Sequence, residues 1–360
     1  MPNASTFIVA EIGVNHNGSV ALAKQLIDAA VYAGADAVKF QSFQADSMVS
    51  EHASKAEYQR KTTAAGESQR MMLRKLQLSG EAHHELLAYC RQRHVQFLST
   101  PFDAESVDLL VTELGIPMLK VASGEITNAP LLVKMAQSGK PLLVSTGMST
   151  LGDIEQALAA LAWGFTQPSG TTPSWPGMRD AYISDRGQEA LARHVTLLHA
   201  TSEYPAPARH ANLRCLDTLA AAFQLPVGLS DHTEGIAVSI GAAARGAAVI
   251  EKHLTLDRAL AGPDHRASLT PEEFRQLVSG IRQIEEALGR HAKLPTPEER
   301  GNAQLVRKSL VAARNIEAGE NFTAGNVAVK RPGLGRSPFL YWDTLNTSAN
   351  RPYRKDELLE

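Results

Sequence analysis

Val227-Gly228-Leu229-Ser230-Asp231-His232-Thr233 and Ala247-Ala248-Val249-Ile250-Glu251-Lys252-His253 are two apolar runs that each close on a histidine, and 21 positions separate His232 from His253. The intervening Gly235-Ile236-Ala237-Val238-Ser239-Ile240-Gly241-Ala242-Ala243-Ala244 reads as a helix of small residues, so the interval fits one helix plus one strand. If the two strands are parallel neighbours, both imidazoles emerge side by side at one sheet edge. A divalent metal would be held there with coordination positions left open.

The same alternation of short apolar runs and helical patterns extends from residue 7 to about residue 288, which predicts a parallel α/β arrangement. The candidate strands are Phe7 to Glu11, Ala37 to Gln41, Val95 to Thr100, Met118 to Ala122, Leu142 to Ser145, Val195 to His199, Val227 to Ser230 and Ala248 to Glu251. Eight strands close a (β/α)8 TIM barrel, and roughly 280 residues suit the size of that fold. The helical segments carry matching punctuation. Ala23, Leu26, Ile27, Ala30 and Val31 form an apolar stripe ending at Gly34, where a left-handed residue is wanted. Thr270-Pro271-Glu272-Glu273 is a capping sequence ahead of the stripe Phe274, Leu277, Ile281, Ile284 and Leu288.

Two insertions break the spacing. Residues 44–80 follow the second strand, on the catalytic side of such a barrel, and suit a partly helical lid that touches substrate; residues 165–194 precede the sixth strand and belong to the opposite face. The texture changes after residue 289. The division expected is a catalytic barrel over 1–289, a polar, proline-bearing linker over 290–302 and a small domain over 303–360, too short for an ample core of its own.

At 360 residues, 44% hydrophobic and 21% charged, the chain reads as a soluble globular protein. Its formal charge of −2 gives no general attraction for nucleic acid or anionic membrane, so any phosphate chemistry must be local. Cys90 and Cys215 are isolated, which suits a reducing cytoplasm. Neither a signal peptide nor a membrane span is visible. Lys355-Asp356-Glu357-Leu358 is not a retrieval signal, because two residues follow it.

The strands end in Glu11, Lys39, Gln41, Thr100, Lys120, Ser123, Glu125, Ser145, Thr146, His199, Ser202, Tyr204, Ser230, His232, Glu251 and His253. That is how a barrel active site is laid out. A single strand-end lysine is usually a surface charge. Lys39 and Lys120 together, among Ser123, Ser145, Thr146 and Ser230, make a ring of donors for a small polyanion carrying phosphate and carboxylate. Glu125, Gln41 and Tyr204 are placed to bind hydroxyls of a second, neutral substrate. In a closed barrel the eighth strand adjoins the first, so Glu11 is expected near His253, to ligate the metal, orient a water or move protons. His199 follows apolar neighbours and is read as structural. His16 belongs to the turn Asn15-His16-Asn17-Gly18, and His83, His84, His94 and His291 are expected on solvated helical faces.

At these residues the chain resembles the sialic acid synthase family. The shared pieces are Ala10-Glu11-Ile12-Gly13, Val38-Lys39-Phe40-Gln41, Ser99-Thr100-Pro101-Phe102, Lys120-Val121-Ala122-Ser123-Gly124-Glu125, Ser145-Thr146-Gly147-Met148, Tyr204-Pro205, Ser230-Asp231-His232-Thr233, Glu251-Lys252-His253 and Gly262-Pro263-Asp264. The tail, with Lys330-Arg331-Pro332-Gly333, is similar to the antifreeze-like domain, of β-clip type, that ends these synthases. The resemblance implies condensation of phosphoenolpyruvate with an N-acetylated hexose to a nine-carbon 2-keto-3-deoxy sugar acid. It also implies a divalent cation (manganese first, magnesium or cobalt as alternatives) on His232 and His253. Lys39, Thr100, Lys120, Ser123, Ser145, Ser202 and Ser230 match the phosphoenolpyruvate contacts, with Ser202 standing where some members have Asn. Glu125, Tyr204, Gln41, Asp264 and Arg331 match the sugar contacts, Arg331 reaching across a domain-swapped homodimer whose tails cap each other's barrels. Glu11 is the candidate for positioning or deprotonating a water, and Glu125 the other candidate. Two rivals stand beside this reading: a Schiff-base pyruvate aldolase using Lys120 or Lys39, and a non-catalytic glycan- or ice-binding protein. The acceptor, N-acetylmannosamine or a 2,4-diacetamido-6-deoxy hexose, is left open by motifs that all members share.

Overall fold

The structure is a computed structural model that describes residues 5–50, 53–55, 60 and 67–360. Eight parallel strands close a barrel in chain order: β1 (Phe7–Gly13), β2 (Ala37–Ser42), β3 (Gln96–Pro101), β4 (Leu119–Val121), β5 (Leu142–Ser145), β6 (Val195–Ala200), β7 (Val227–Asp231) and β8 (Val249–His253). The barrel shuts where β8 pairs with β1, bringing Glu11 level with His253; across β1 and β2, Glu11 is level with Lys39. Several strands run one or two residues beyond their apolar stretch. Polar strand-end residues keep their ladder bonds as long as the neighbouring strand continues, so polarity marks where the face changes character before it marks where the strand stops.

Alternation along the strands explains both the core and the site. Val9, Ala37, Leu98, Leu143, Leu198 and Val249 form a buried cluster of their own. Side chains two and four positions further along a strand share its face. Glu11, Lys39, Gln41, Thr100, Ser145, Glu251 and His253 therefore stack above that apolar floor. The intervening residues, among them Ile8, Ala10, Ile12, Val38 and Phe40, join the large cluster beneath the helices. Each of the larger side chains, Ile8, Ile12, Val38 and Phe40, contributes about 1.5–3 kcal/mol on burial.

The helix Val20–Ala33 begins with Ser19 accepting from the Leu22 amide and ends at Gly34 with φ 83°, as its stripe and glycine predict. Before Pro271–Leu288, the Thr270 amide donates to Glu273 at 2.8 Å. Gly228 marks the tightest approach within the barrel wall, since a Cβ there would lie 2.4 Å from the Val249 carbonyl oxygen and 2.8 Å from Leu198 Cδ2. Gly228→Ala is expected to destabilise the barrel by about 1–3 kcal/mol, read as a lower urea midpoint at unchanged m-value.

Within the first insertion lie the short helices Ala45–Met48 and Gln69–Leu76; its residues 51–52, 56–59 and 61–66 lie outside the described residues. The second insertion carries the helices Trp175–Ile183 and Asp185–His194. No helix among the described residues is long and apolar enough to cross a membrane.

The chain divides after Gly289 into two compact units. The second, Arg290–Glu360, holds an antiparallel pair of strands, β9 (Ser309–Ala312) and β10 (Val327–Lys330), and a small core that includes Leu310, Ile316, Phe322, Tyr353 and Leu359. The stretch read as linker contains the start of a helix, Pro297–Val306, capped by Thr296 and Glu299. Thr296-Pro297-Glu298-Glu299 repeats the capping sequence of residues 270–273; without a strong apolar stripe behind it, the signal reads as connector.

Candidate active site

Above the apolar floor the barrel mouth opens onto a cavity of about 340 Å³. Its lining includes Glu11, Lys39, Gln41, Thr100, Lys120, Ser123, Ser145, Ser202, Tyr204, Ser230, His232, Glu251, His253 and Asp264. Two of the barrel residues expected there, Glu125 and Thr146, do not line it. Glu125 sits in the turn Ser123–Glu125 just after β4, half-buried, with its carboxylate accepting from Asn128 Nδ2 at 2.7 Å, and it is not among the lining residues. Arg331 follows β10 in the second unit and is exposed. Thr146 spends its hydroxyl on the Leu198 carbonyl at 3.0 Å.

A buried charge network occupies the centre. Lys39 Nζ lies 2.5 Å from Glu11 Oε2 and 3.6 Å from Glu251 Oε2, and donates to Thr100 Oγ1 at 3.1 Å. Lys120 Nζ is 3.3 Å from Glu251 Oε1, which also accepts from Ser230 Oγ at 2.8 Å. Gln41 Nε2 donates to Glu11 Oε1 at 3.4 Å. Burial raises the Glu11 carboxyl to about 7 despite the ammonium of Lys39. For Glu251, burial is outweighed by Lys120 and Lys39, and its carboxyl falls to about 2. Burial lowers the Lys120 ammonium and raises the Asp264 carboxyl to about 6.

The imidazoles of His232 and His253 converge, with ring centroids 5.6 Å apart. Tyr204, before the cis peptide to Pro205, packs its ring 4.1 Å from that of His232. His232 Nδ1 lies 2.6 Å from the Thr201 carbonyl oxygen, which fixes the ring and leaves Nε2 toward the cavity side, 3.4 Å from Ser230 Oγ. Burial brings His232 to about 4 and His253 well below its ordinary value, so both rings are neutral near pH 7. His253 Nδ1 and Ser145 Oγ are buried without a hydrogen-bond partner in the protein, and unsatisfied buried polar atoms in a cavity wall are what a ligand or ion would satisfy. Two neutral imidazoles, one with a free ring nitrogen 4.0 Å from Asp264 Oδ2, fit a divalent cation. Among the described residues no cluster of three or more His, Cys, Asp or Glu groups forms a metal site, so the remaining ligands of such an ion would come from substrate or water.

Three features are only partly legible in the sequence. Glu251 is readable as a polar strand end sharing a face with His253, but its joining of the two lysines is not. The first insertion supplies an apolar wall of Met48, Met72, Leu73 and Leu76, beside Val14 and Phe102; no motif announces it. His83 is buried, against the expectation of a solvated face. Its Nε2 lies 2.7 Å from Ser42 Oγ and its Nδ1 2.8 Å from the Ser79 carbonyl oxygen, beneath the end of β2. His16 is likewise fully buried, and burial lowers it to about 4. His199 is held by the Ala211 carbonyl oxygen at 2.7 Å, a structural contact.

A parallel barrel whose mouth joins two lysines, three carboxyl groups and two neutral imidazoles is the frame of an enzyme acting on a small anion. Residues 26–293 match the model of the NeuB family and residues 307–358 that of the SAF domain. The chain belongs to the NeuB family and carries the antifreeze-like SAF domain after its barrel. It is 48% identical over 354 residues to N,N'-diacetyllegionaminic acid synthase of Campylobacter jejuni, covering 98% of each chain. Mouse N-acetylneuraminate-9-phosphate synthase is 33% identical over 325 residues, or 90% of this chain and 82% of that one. A crystal structure of N-acetylneuraminic acid synthetase from Leptospira borgpetersenii in complex with citrate superposes with a TM-score of 0.67 at 29% identity, covering 83% of this chain and 90% of that one. The protein is thus an enzyme of the nonulosonic acid synthase type.

Proposed function

We propose that this enzyme condenses phosphoenolpyruvate with an N-acetylated hexose in the presence of a divalent cation, giving a nine-carbon 2-keto-3-deoxy sugar acid and phosphate. The observation that carries the reading is the pairing, in one cavity, of two buried lysines among hydroxyls with two neutral imidazoles. Lys39, Lys120, Thr100, Ser145 and Ser230 hold the phosphate and carboxylate of phosphoenolpyruvate, with Ser123 and Ser202 at the rim. Gln41, Tyr204 and Asp264 meet the sugar. A carbon–carbon bond forms between the methylene carbon of phosphoenolpyruvate and the acceptor's aldehyde carbon, whose oxygen takes up a proton to become a hydroxyl. Water adds at the cationic enol carbon with loss of a proton, and the hemiketal phosphate collapses to the ketone as phosphate leaves by carbon–oxygen cleavage with the remaining hydroxyl proton. Glu11 takes the proton from that water, with its carboxyl poised near the working pH. Bound on His232 and His253, manganese (or magnesium or cobalt) would supply a Lewis acid for the aldehyde oxygen.

The acceptor is a 2,4-diacetamido-6-deoxy hexose. Its additional acetamide methyl and its 6-methyl suit the apolar wall of Val14, Met72, Leu73, Leu76 and Phe102 better than hydroxyls would, and the Campylobacter relative is named for a diacetylated product. Arg331 is contributed by the tail of a second copy in a domain-swapped homodimer, a reading supported by Leu334, Phe339 and Trp342, which are 61%, 93% and 77% exposed. The unpaired Cys90 and Cys215 suit the cytoplasm.

Phosphate release from phosphoenolpyruvate with each sugar tests the reading. The expected result is turnover that chelator abolishes and manganese restores, with the diacetamido sugar preferred over N-acetylmannosamine by about 10–200-fold in kcat/KM, the range one methyl-sized difference commands in an apolar pocket. No phosphate release with either sugar overturns the condensation. Equal use of both overturns only the acceptor.

A further inference from the structure

Directly behind the two imidazoles, on the outer side of the barrel wall, lies a second charge pair. Alternation turns Ser230 and His232 inward and Asp231 outward on β7, and Glu251 and His253 inward and Lys252 outward on β8. Asp231 and Lys252 are register partners across the two strands. Both are buried, Lys252 completely. Lys252 Nζ donates to Asp231 Oδ2 at 2.8 Å and to the Thr233 carbonyl oxygen at 2.5 Å. Asp231 Oδ1 accepts from the Thr233 amide and hydroxyl, each at 2.8 Å, and its Oδ2 also accepts from Ser239 Oγ at 2.6 Å, on the helix Ala237–Ala244 that follows. The residues on both sides of His232 are therefore tied to the residue preceding His253.

We propose that the Asp231–Lys252 pair is a positioning device that fixes the separation of the His232 and His253 imidazoles. A buried ion pair recovers little net stability against well-packed apolar residues, because desolvation offsets the attraction. Holding geometry is a use that apolar contacts serve less well, since they are non-directional while a charge-assisted hydrogen bond has a defined length and direction. Metal–imidazole bonds need that definition, since their lengths hold within about 0.2 Å. Asp231 and Lys252 are absent from the lining of the cavity, and act through the backbone that carries the two rings.

The inference rests on His232 and His253 as the cation ligands, and the test separates the two ideas. Manganese binding to the full-length protein is followed by electron paramagnetic resonance and calorimetry, and the cobalt form by its visible absorption. Asp231→Asn/Lys252→Met removes both charges while filling similar volume. The expected result is manganese affinity about 10–100-fold weaker, the usual cost of losing a group that orients a ligand, with an altered cobalt spectrum. The KM for phosphoenolpyruvate stays within about twofold, because Lys39 and Lys120 remain in place. Wild-type manganese affinity and cobalt spectrum in the folded double variant would overturn the positioning role. Should that variant not fold, Ser239→Ala, which removes only one donor to Asp231, is expected to show a smaller loss in the same direction, and unchanged affinity there overturns the proposal equally. If instead the wild type binds no manganese, or His232→Ala binds it as tightly, the ligand assignment itself fails and takes the inference with it.

Discussion

Lys120→Met is expected to lower kcat/KM for phosphoenolpyruvate by about 30- to 4000-fold, the equivalent of the 2–5 kcal/mol lost when one member of a buried charged contact is removed. Two effects act together. The substrate loses a cation, and Glu251, 3.3 Å from Lys120 and buried, loses the partner that most holds its carboxyl low. Lys39, already 2.5 Å from Glu11, cannot neutralise everything. Adding Glu251→Gln separates the effects: the double variant should regain stability in urea unfolding, since no unpaired buried carboxylate remains, but should not regain affinity for phosphoenolpyruvate. The same lysine tests the Schiff-base rival. Burial lowers the Lys120 ammonium, which on its own suits an amine nucleophile. Borohydride with pyruvate should nevertheless leave the protein unlabelled and active, because Lys120 is occupied as a charge partner of Glu251. Labelling at Lys120 would replace the condensation mechanism by an aldolase.

How much of this was written in the sequence depends on which force sets each feature. The barrel is legible because its strands are short apolar runs at helix-and-strand intervals, and burial on both faces enforces that pattern. The convergence of Glu11, Lys39, Lys120, Ser145, Ser230, His232 and His253 follows from strand ends sharing one rim, so position in the pattern implies position in space. Glu125 shows the limit of that rule. It lies beyond the last strand residue, in a tight turn where Asn128 captures its carboxylate, and backbone geometry there no longer obeys a period of two. Glu251 is the opposite case, a residue on the right face whose importance comes from two lysines 131 and 212 positions earlier in the chain. Long-range charge pairing leaves no local signature. The first insertion is legible as a lid from its place after the second strand, but its apolar character toward the cavity is not: its methionines and leucines look like ordinary helix packing until the barrel mouth supplies the other side. His83 is buried through a contact with Ser42 on another element, and a helical face judged by its own neighbours cannot reveal that.

Glu11→Gln is expected to cut kcat by about 10²–10⁴-fold, the span of general acid–base contributions, while leaving KM for phosphoenolpyruvate unchanged or lower. The second half of that statement sets the role apart from simple binding. Glu11 sits 2.5 Å from Lys39 and competes with the substrate phosphate for it; an amide of the same shape gives up the competition and keeps the contact with Gln41. The pH dependence gives an independent reading. Burial lifts the Glu11 carboxyl from 4.5 to about 7, and only the charged form can accept a proton. Activity should therefore be full above about pH 7 and fall tenfold per unit as pH drops below it, in kcat/KM measured at saturating manganese, and Glu11→Gln should erase that limb along with most of the rate. A wild-type profile flat from pH 5 to 8, or a Gln variant that keeps both the limb and the rate, would move the proton to another group. Asp264 is the next candidate, since burial raises its carboxyl to about 6 and it lies 4.0 Å from His253 Nδ1. The two variants decide between them: an acid limb that Glu11→Gln erases belongs to Glu11, whereas one that survives Glu11→Gln and vanishes in Asp264→Asn belongs to Asp264.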